Sequence, residues 1–284
     1  MREQGVGIVF NPKKEGVREI LKEVSTFLQK KGVRIKFLPG GEKFGFRRYV
    51  VSKGKFLRET SLVIAIGGDG TILASAHLVG ERGIPIMGIN IGSLGFLAFF
   101  SPKEALTTLA DFLKGKAKVE ERMALKVSFQ GKEYFALNDA TVNMGYSLRA
   151  IEVILYSGKR YVSRFIGDGV IISTPTGSTA YSLACGGSII YPTLSCFIIT
   201  PIAPHALSAR PLIVPAEEEL RVELAKDSET GFLVIDGQRR LKISPGFRAK
   251  FLKAKRGINV VVPTRKDYFS ILRQKMRWGG RGDE

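Results

Sequence analysis

The sequence contains little cysteine and no long apolar run. Cys185 and Cys196 are its two cysteines, and no apolar stretch approaches the ~20 residues that span a bilayer. The first residues, Met1 to Gln4, lack the apolar core of a signal peptide. We therefore expect a cytoplasmic protein with reduced cysteines and no membrane association.

Familiar nucleotide-binding, metal-binding and DNA-binding patterns are also missing. The chain has neither a Walker-type Gly-Lys-Ser/Thr loop nor an opening Gly-x-Gly-x-x-Gly, which argues against those nucleotide folds. It has no cysteine–histidine spacing of a zinc site, no helix-turn-helix pattern and no basic strands interleaved with aromatic residues. Nucleic acid is therefore not an expected partner.

Negative charge is scarce, so the chain is strongly basic. Its formal net charge is +18, and residues 239–284 hold 14 Lys or Arg against 3 Asp or Glu. Such a surplus fits nucleic acid, anionic lipid or a small polyanionic substrate, although a solvated basic surface explains most of these lysines.

The segment Gly67–Thr71, Gly-Gly-Asp-Gly-Thr, lies between an apolar run and a stretch typical of a helix. A buried strand, a glycine turn and a helix start are the parts of a phosphate-binding loop, because the backbone can approach the ligand and the helix start attracts anions. A carboxylate repels phosphate. Asp69 is therefore expected to hold a metal ion or to accept a proton, unless the segment is an ordinary turn with an acidic cap.

The first part of the chain predicts an α/β domain over residues 1–114. Apolar runs at 6–10, 33–37, 62–66 and 85–90 predict strands, and periodic residues at 17–28 predict a helix. Ser101 and Glu104 have the spacing of a capping box, with Pro102 in the first turn, and predict a second helix that runs to about Lys114. Strands that alternate with helices imply a mainly parallel sheet, and ligands of such sheets sit at the carboxyl ends of strands. The loop after Asn90 should therefore lie beside the loop that contains Asp69.

From residue 115 to residue 262 short alternating strands predict a β-rich second domain. Gln130-Gly131 and Ser157-Gly158 have the composition of hairpin turns. A final helix is predicted at Asp267–Arg277 within the last segment, 263–284, with Phe269, Leu272 and Met276 on one face.

The β-rich part contains a second polar segment, Thr174–Ser182, with the sequence Thr-Pro-Thr-Gly-Ser-Thr-Ala-Tyr-Ser. Its small hydroxyl side chains suit ribose and phosphate oxygens, although serine and threonine also cap ordinary turns. Asn138 and Asp139 follow Leu137 in an apolar setting and are expected to interrupt a strand, because both are poor strand formers. Their amide and carboxylate could bind ribose hydroxyls. Asp236-Gly237 is explained by a two-residue turn alone.

Together these motifs resemble the NAD kinase family. The Gly-Gly-Asp-Gly-Thr loop is shared with diacylglycerol-type lipid kinases and phosphofructokinases, whereas the Thr174–Ser182 segment is far more specific. The remaining matching motifs are Gly88–Phe96, Asn138-Asp139, Asp168-Gly169 and Asp236–Gln238.

The resemblance implies phosphorylation of NAD at the adenosine 2′-hydroxyl, with ATP or polyphosphate as the donor and a divalent metal, most simply Mg²⁺. It implies an α/β domain, a β-sandwich-like domain and a C-terminal helix that packs back on the first domain. It also implies a homodimer or homotetramer with small-molecule nucleotides as partners.

The same resemblance assigns roles by position. Asp69 matches the catalytic carboxylate, as proton acceptor or metal anchor. The residues expected to contact nucleotide are Gly68, Asp69, Gly70, Thr71, Asn90, Asn138, Asp139, Arg149, Asp168, Thr179, Ala180, Tyr181, Ser182, Ala184 and Gln238.

The chain departs from the family pattern at two basic positions, which are occupied by Ala74 and Ile166. Both departures remove positive charge from the expected phosphate path. His77 lies one helical turn after Ala74 and could partly replace the missing positive charge, although a lone helix histidine is more often a surface residue.

Two other functions stay open. A lipid kinase with the same glycine loop would place the basic C-terminal region on an anionic membrane. A non-catalytic NAD(H) sensor or nucleic-acid-binding module would leave Asp69 without a role, and salt-dependent DNA binding would favour the latter.

Overall fold

The computed structural model describes residues 5–92, 95–147, 149–264 and 267–278. The chain forms two compact units. One comprises Met1–Glu120 together with Asn259–Glu284, and the other comprises Glu121–Ile258.

The helices and strands follow in chain order. The helices are α1 (Val17–Lys30), α2 (Lys53–Arg58), α3 (Asp69–Val79), α4 (Pro102–Leu113), α5 (Tyr181–Ala184) and α6 (Tyr268–Met276). The strands of the first half are β1 (Gly5–Phe10), β2 (Arg34–Phe37), β3 (Thr60–Gly67), β4 (Ile86–Asn90), β5 (Lys118–Arg122), β6 (Leu125–Phe129), β7 (Lys132–Ala136), β8 (Asp139–Asn143) and β9 (Ile151–Ser157). Those of the second half are β10 (Arg160–Gly167), β11 (Gly169–Ser173), β12 (Cys196–Ile202), β13 (Leu212–Pro215), β14 (Leu220–Leu224), β15 (Gly231–Ile235), β16 (Arg239–Ile243), β17 (Arg248–Lys253) and β18 (Ile258–Val262).

The first unit is built on a sheet with the strand order β2-β1-β3-β4-β18-β5. The pairs β1–β2, β1–β3, β3–β4 and β4–β18 are parallel, as the alternation of strands and helices predicts. Its central strands are buried along their whole length, from Leu62 to Gly67 in β3 and through all of β4. Helices cover such strands on both faces, so their sequences are continuous apolar runs.

The predicted capping box at the start of α4 is present. The Ser101 hydroxyl accepts a hydrogen bond from the backbone N–H of Glu104, and the Glu104 carboxylate accepts one from the backbone N–H of Ser101. Pro102 occupies the first turn, where its missing N–H costs nothing. This helix start fixes the return of the chain after the loop that follows β4.

The second unit is a sandwich of two antiparallel sheets. Their strand orders are β10-β9-β14-β17-β6-β7 and β13-β12-β11-β8-β15-β16. Alternate residues of β6, β9, β14 and β15 point into one shared apolar core, to which Val127, Val153, Val170 and Leu233 belong. The predicted β-sandwich-like domain is thus confirmed.

Strands β8 and β11 lie at the centre of the second sheet and are buried on both faces. Their inner face joins the shared core, and the turn at Thr176–Thr179 and helix α5 pack against β11. The polar segment predicted from the sequence therefore covers the outer face of this sheet. This cover explains why β11 shows no polar–apolar alternation.

Three expectations about local structure were wrong. Leu272 of the predicted face of α6 is buried, but Phe269 is 56% exposed and Ile271 is buried, because the buried stripe is shifted by one position. Ser157 is paired with Arg160 as the last residue of β9, so the hairpin turn is Gly158-Lys159. Asp139 does not interrupt a strand but begins β8, opposite Ser173.

Several strands, among them β5, β13 and β16, were not predicted from the sequence. They are short, and most of their residues are exposed, so they lack an apolar period. Within the described residues, no helix is long and apolar enough to cross a membrane.

Candidate functional site

The glycine loop of the first unit joins the end of β3 to the start of α3. Gly67 is opposite Asn90 in the parallel register of β3 and β4, so the two loops meet at the carboxyl ends of adjacent strands, as predicted. Gly67 has φ +157°, and a Cβ there would collide with the hydroxyl of Thr71. The turn is therefore tight enough to require glycine at this position.

The carboxylate of Asp69 accepts hydrogen bonds from three successive backbone N–H groups. The donors are Phe96 at 2.9 Å, Leu97 at 3.0 Å and Ala98 at 2.9 Å. A Cβ on Gly95 would collide with this carboxylate. Asp69 thus fastens the chain after β4 to the start of α3, a contact that the sequence analysis did not predict.

A cavity of about 480 Å³ opens beside this loop. Three predicted nucleotide contacts, Gly68, Gly70 and Thr71, line it together with Ala74. Its opposite wall is formed by Val9, Phe10, Asn11, Pro12 and Lys14. His77 is not among the lining residues, and the basic residue that lines the cavity together with Ala74 is Lys14, from the loop after β1.

Asn90 is buried behind this loop, and its amide donates to the carbonyl of Gly92 at 3.0 Å. It therefore holds the turn after β4 and does not line the cavity beside Ala74. Ser93 and Leu94 of the Gly88–Phe96 motif lie outside the described residues.

A second cavity, of about 490 Å³, lies wholly within the β-sandwich unit. Four predicted contacts line it: Asn138, Asp139, Ala180 and Tyr181. The other lining residues are Thr141, Asn143, Gly145, Tyr146, Phe232, Val234, Asp236, Gly237 and Arg240. It combines carboxylate, amide, phenol and guanidinium groups with an aromatic wall, a suitable set for a nucleotide.

Asp139 is the most perturbed carboxyl group at this cavity. Burial raises the pKa of Asp139 to about 7, and the nearby negative charge of Asp236 adds to the increase. A hydrogen bond from the Thr141 hydroxyl, at 3.5 Å, acts weakly in the opposite direction. Near neutral pH this group can therefore take up or release a proton, as functional-site carboxyls often do.

Asp236 is buried in the turn between β15 and β16, and it does more than form the turn. Its carboxylate accepts hydrogen bonds from the backbone N–H groups of Leu137 at 2.8 Å, Asn138 at 2.8 Å and Asp139 at 3.0 Å. Its own backbone N–H donates to the Asp139 carbonyl at 2.9 Å. Two elements of the cavity wall are thereby held together.

The hydroxyl groups of the Thr174–Ser182 segment are mostly used inside the protein. The Thr174 hydroxyl donates to the Leu137 carbonyl at 2.6 Å, and the Ser178 hydroxyl accepts from the Ile190 N–H at 3.0 Å. Ser182 is fully buried and bonded to the hydroxyl of Thr200 at 2.8 Å. Within this segment the structure brings only Ala180 and Tyr181 to the cavity wall.

Six further predicted residues lie outside the walls of both cavities, and Asp69 is one of them. Three of them are Asp168, half-buried before β11, the half-buried Thr179, and the exposed Ala184 at the end of α5. Arg149 is exposed and pairs with Glu229 at 3.1 Å, and Gln238 is exposed in the β15–β16 turn. The exposed Ile166 leaves its position without positive charge.

Comparisons with known proteins agree on one family. Residues 6–117 match the model of the ATP-NAD kinase N-terminal domain, and residues 137–262 match that of the ATP-NAD kinase C-terminal domain. The chain is 40% identical to an NAD kinase of Geotalea daltonii over 82% of its own length and 84% of that protein. It is 34% identical to an NAD kinase of Syntrophobacter fumaroxidans over 96% and 98% of the two lengths.

Two solved structures are similar over nearly the whole chain. The yeast NADH kinase complexed with NADH has a TM-score of 0.92 and 26% identity, and the match covers 100% of this chain and 91% of that one. An NAD kinase from Archaeoglobus fulgidus in complex with ATP has a TM-score of 0.80 and 26% identity, with coverage of 98% and 100%.

Proposed function

The chain belongs to the ATP-NAD kinase family, and we propose that it transfers a phosphoryl group from ATP to the adenosine 2′-hydroxyl of NAD, giving NADP. The observation that carries this proposal is the cavity of the β-sandwich unit, where the amide of Asn138 and the carboxyl of Asp139 can bind ribose hydroxyls. Such groups suit a dinucleotide and have no clear use for a lipid. The comparisons favour neither the lipid kinase nor the non-catalytic sensor.

We propose that NAD occupies this second cavity. Tyr181 and Phe232 offer flat apolar surfaces to rings of the ligand, while Arg240 offers charge-assisted hydrogen bonds to its phosphates. The polar groups then fix the orientation of the ligand, and the aromatic wall supplies apolar contact.

The phosphoryl donor is proposed to bind the cavity beside the glycine loop of the first unit. Gly68 and Gly70 let phosphates approach the backbone, and the start of α3 contributes the positive end of the helix dipole. Lys14 adds a full positive charge on the same cavity, where the family pattern has its basic residue at the position of Ala74.

Asp69 is the proposed catalytic carboxylate. An ionised carboxylate has about four acceptor sites, and backbone N–H groups use three of them, which leaves one for a hydroxyl proton. The same three donors fix the direction of the remaining lone pair. Phosphoryl transfer depends on such positioning and on charge neutralisation more than on covalent chemistry.

A divalent metal is part of the proposal, with Mg²⁺ as the expected ion. Within the described residues no group of three or more His, Cys, Asp or Glu side chains could hold a metal ion. This donor set fits Mg²⁺ only if phosphate oxygens complete its shell, as they commonly do beside one or two carboxylates. When bound, such an ion neutralises developing charge on the transferred group. At the glycine loop, Asp69 is the residue whose carboxylate could contact the metal ion.

One coupled assay tests the function. Purified protein is supplied with NAD or NADH and with ATP or polyphosphate, and NADP(H) is measured. We expect NADP to form from NAD with at least one donor, and the failure of every pair would contradict the proposal. Activity on diacylglycerol with liposome binding would instead support the lipid kinase.

The assembly state and location stay predictions. A homodimer or homotetramer is proposed by analogy with the family, and size-exclusion chromatography with light scattering measures it directly. The cytoplasmic location is likewise a prediction from cysteine usage.

A further inference from the structure

We propose that Asp236 is a positioning residue for nucleotide binding, because its carboxylate fixes the backbone that presents Asn138 and Asp139 to the cavity of the β-sandwich unit. This inference rests on the proposed function, in which that cavity binds NAD. The sequence alone predicts for Asp236 a place in a two-residue turn and no other role.

The turn itself does not require a carboxylate. Asp236 has φ +47° and Gly237 has φ +65°, and the N–H of Gln238 donates to the Ile235 carbonyl at 2.9 Å, as in a type I′ turn. Asparagine and glycine adopt this conformation as readily as aspartate. A buried negative charge beside a second carboxyl group is a costly choice for a turn alone.

The contacts of the carboxylate account for that choice. Its two oxygens accept three N–H groups from Leu137, Asn138 and Asp139, at 2.8–3.0 Å. These N–H groups belong to the junction where the chain leaves β7 and enters β8, next to the point where the β8–β15 pairing ends at Ala140 and Ile235. An ionised acceptor makes each of these bonds stronger than a neutral one would.

The junction that is held in this way carries the polar side chains of the cavity. Asn138 and Asp139 both line it, and the Oδ1 atom of Asn138 is buried without a hydrogen-bond partner among the described residues. A buried acceptor without a partner is an expensive feature unless a ligand supplies a donor. A ribose hydroxyl is a donor of the right kind, and it can bond only if the backbone at residue 138 stays in place.

Asp236 also lies close enough to Asp139 to affect its ionisation. Its negative charge is one of the two causes that raise the pKa of Asp139. Among the described residues, Tyr181 on α5, Cys185 directly after α5 and Arg240 on β16 are further titratable or charged groups near Asp139. Removal of the Asp236 charge should therefore lower the pKa of Asp139.

The test compares two variants with one control. Asp236→Asn keeps the turn and one acceptor oxygen, and Asp236→Gly keeps the turn and removes both oxygens. Asp227→Asn makes the same chemical change at an exposed residue between β14 and β15. For each protein the KM of NAD, the KM of ATP and kcat are measured from pH 5.5 to pH 9, with the melting temperature as a check on folding.

We expect the KM of NAD to rise about tenfold or more in Asp236→Asn, and further in Asp236→Gly, because each charge-assisted bond that is lost weakens the site. The KM of ATP and kcat should stay within about threefold, and Asp227→Asn should match the wild type. In Asp236→Asn the pH below which NAD binding weakens should be lower than in the wild type, because the pKa of Asp139 is lower.

A fall in melting temperature with an unchanged KM of NAD and an unchanged pH profile would overturn the inference, since the residue would then serve folding alone. An equal loss in the KM of ATP would also overturn it. If the wild-type protein itself forms no NADP, the proposed function fails first. Direct calorimetric titration of NAD into the same proteins then decides the positioning role separately.

Discussion

The Oδ1 atom of Asp69 lies 2.9 Å from the backbone nitrogen of Ala98, which is 29 residues further along the chain. This bond and its two neighbours tie the start of α3 to the segment after β4. The proposed catalytic carboxylate is therefore also a structural link between the two loops at the carboxyl edge of the parallel sheet.

Asp69→Asn should lower turnover by about 10²–10⁴-fold, the range of general base catalysis, while NAD still binds. The amide has one acceptor oxygen and turns an N–H₂ group towards backbone donors, so the variant should also lose thermal stability. Steady-state kinetics and calorimetric titration of NAD measure the two effects. Asp111→Asn, in α4, is the matched control, and near-normal turnover in Asp69→Asn would refute the catalytic role.

Lys14 and His77 can be separated as sources of positive charge near Ala74. Lys14→Ala should raise the KM of the phosphoryl donor about tenfold, because one charged contact to phosphate is lost. His77→Ala should leave it unchanged, since His77 does not line the cavity beside the glycine loop. The reverse ranking in steady-state assays with varied ATP would show that the helix histidine compensates for Ala74.

The stability of the nucleotide-free protein should depend on pH through Asp139. Its pKa is about 7 in the fold and, in the unfolded chain, near the ordinary value of about 3.9. Between these values the folded protein holds a proton that the unfolded chain has released, so this group's contribution to stability falls as pH rises and becomes level above pH 7.

Asp139→Asn removes that dependence. At pH 8 the variant should melt at a higher temperature than the wild type, and its free energy of unfolding should be larger by an amount on the order of a few kcal/mol. This difference in free energy should shrink towards pH 4. Melting curves at several pH values measure this. A difference that is constant with pH would contradict the assignment, and Asp227→Asn serves as the control.

Two glycines of the first unit should respond oppositely to alanine. Gly95→Ala places a Cβ against the Asp69 carboxylate and should cost about 1–3 kcal/mol of stability, as overpacking does. A Cβ on Gly70 meets no atom of the described part of the chain within 4 Å, so Gly70→Ala should preserve or raise stability while it narrows the donor cavity. Denaturant unfolding measures both changes. Equal destabilisation would show that the Asp69 contact does not govern the loop.

The fold was largely predictable from the sequence. Apolar runs and helix periods predicted the parallel sheet, because its central strands are buried on both faces. The capping box of Ser101 and Glu104 indicated the start of α4. Strands such as β13 were not predicted, because an exposed edge strand does not need a regular spacing of apolar residues. In α6, a buried stripe shifted by one position was enough to misplace Phe269.

The candidate site was predictable only where a motif is local. Asn138 and Asp139 stood out because polar residues are unusual in a strand. Asp236 did not, since an ordinary turn explains Asp-Gly and its partners lie about a hundred residues earlier in the chain. Likewise, the hydroxyls of Ser178 and Ser182 resembled ligand donors, but their bonds to Ile190 and Thr200 become visible only in three dimensions.

The bond from the Leu137 N–H to the Asp236 carboxylate spans 99 residues. During synthesis the greater part of the second unit must therefore be made before the amides at 137–139 can bond to this acceptor. Once it is made, their exchange with deuterated solvent should require opening of the whole sandwich instead of local fraying. These three amides should accordingly be among the slowest-exchanging of the unit, and they would report on its cooperative unfolding.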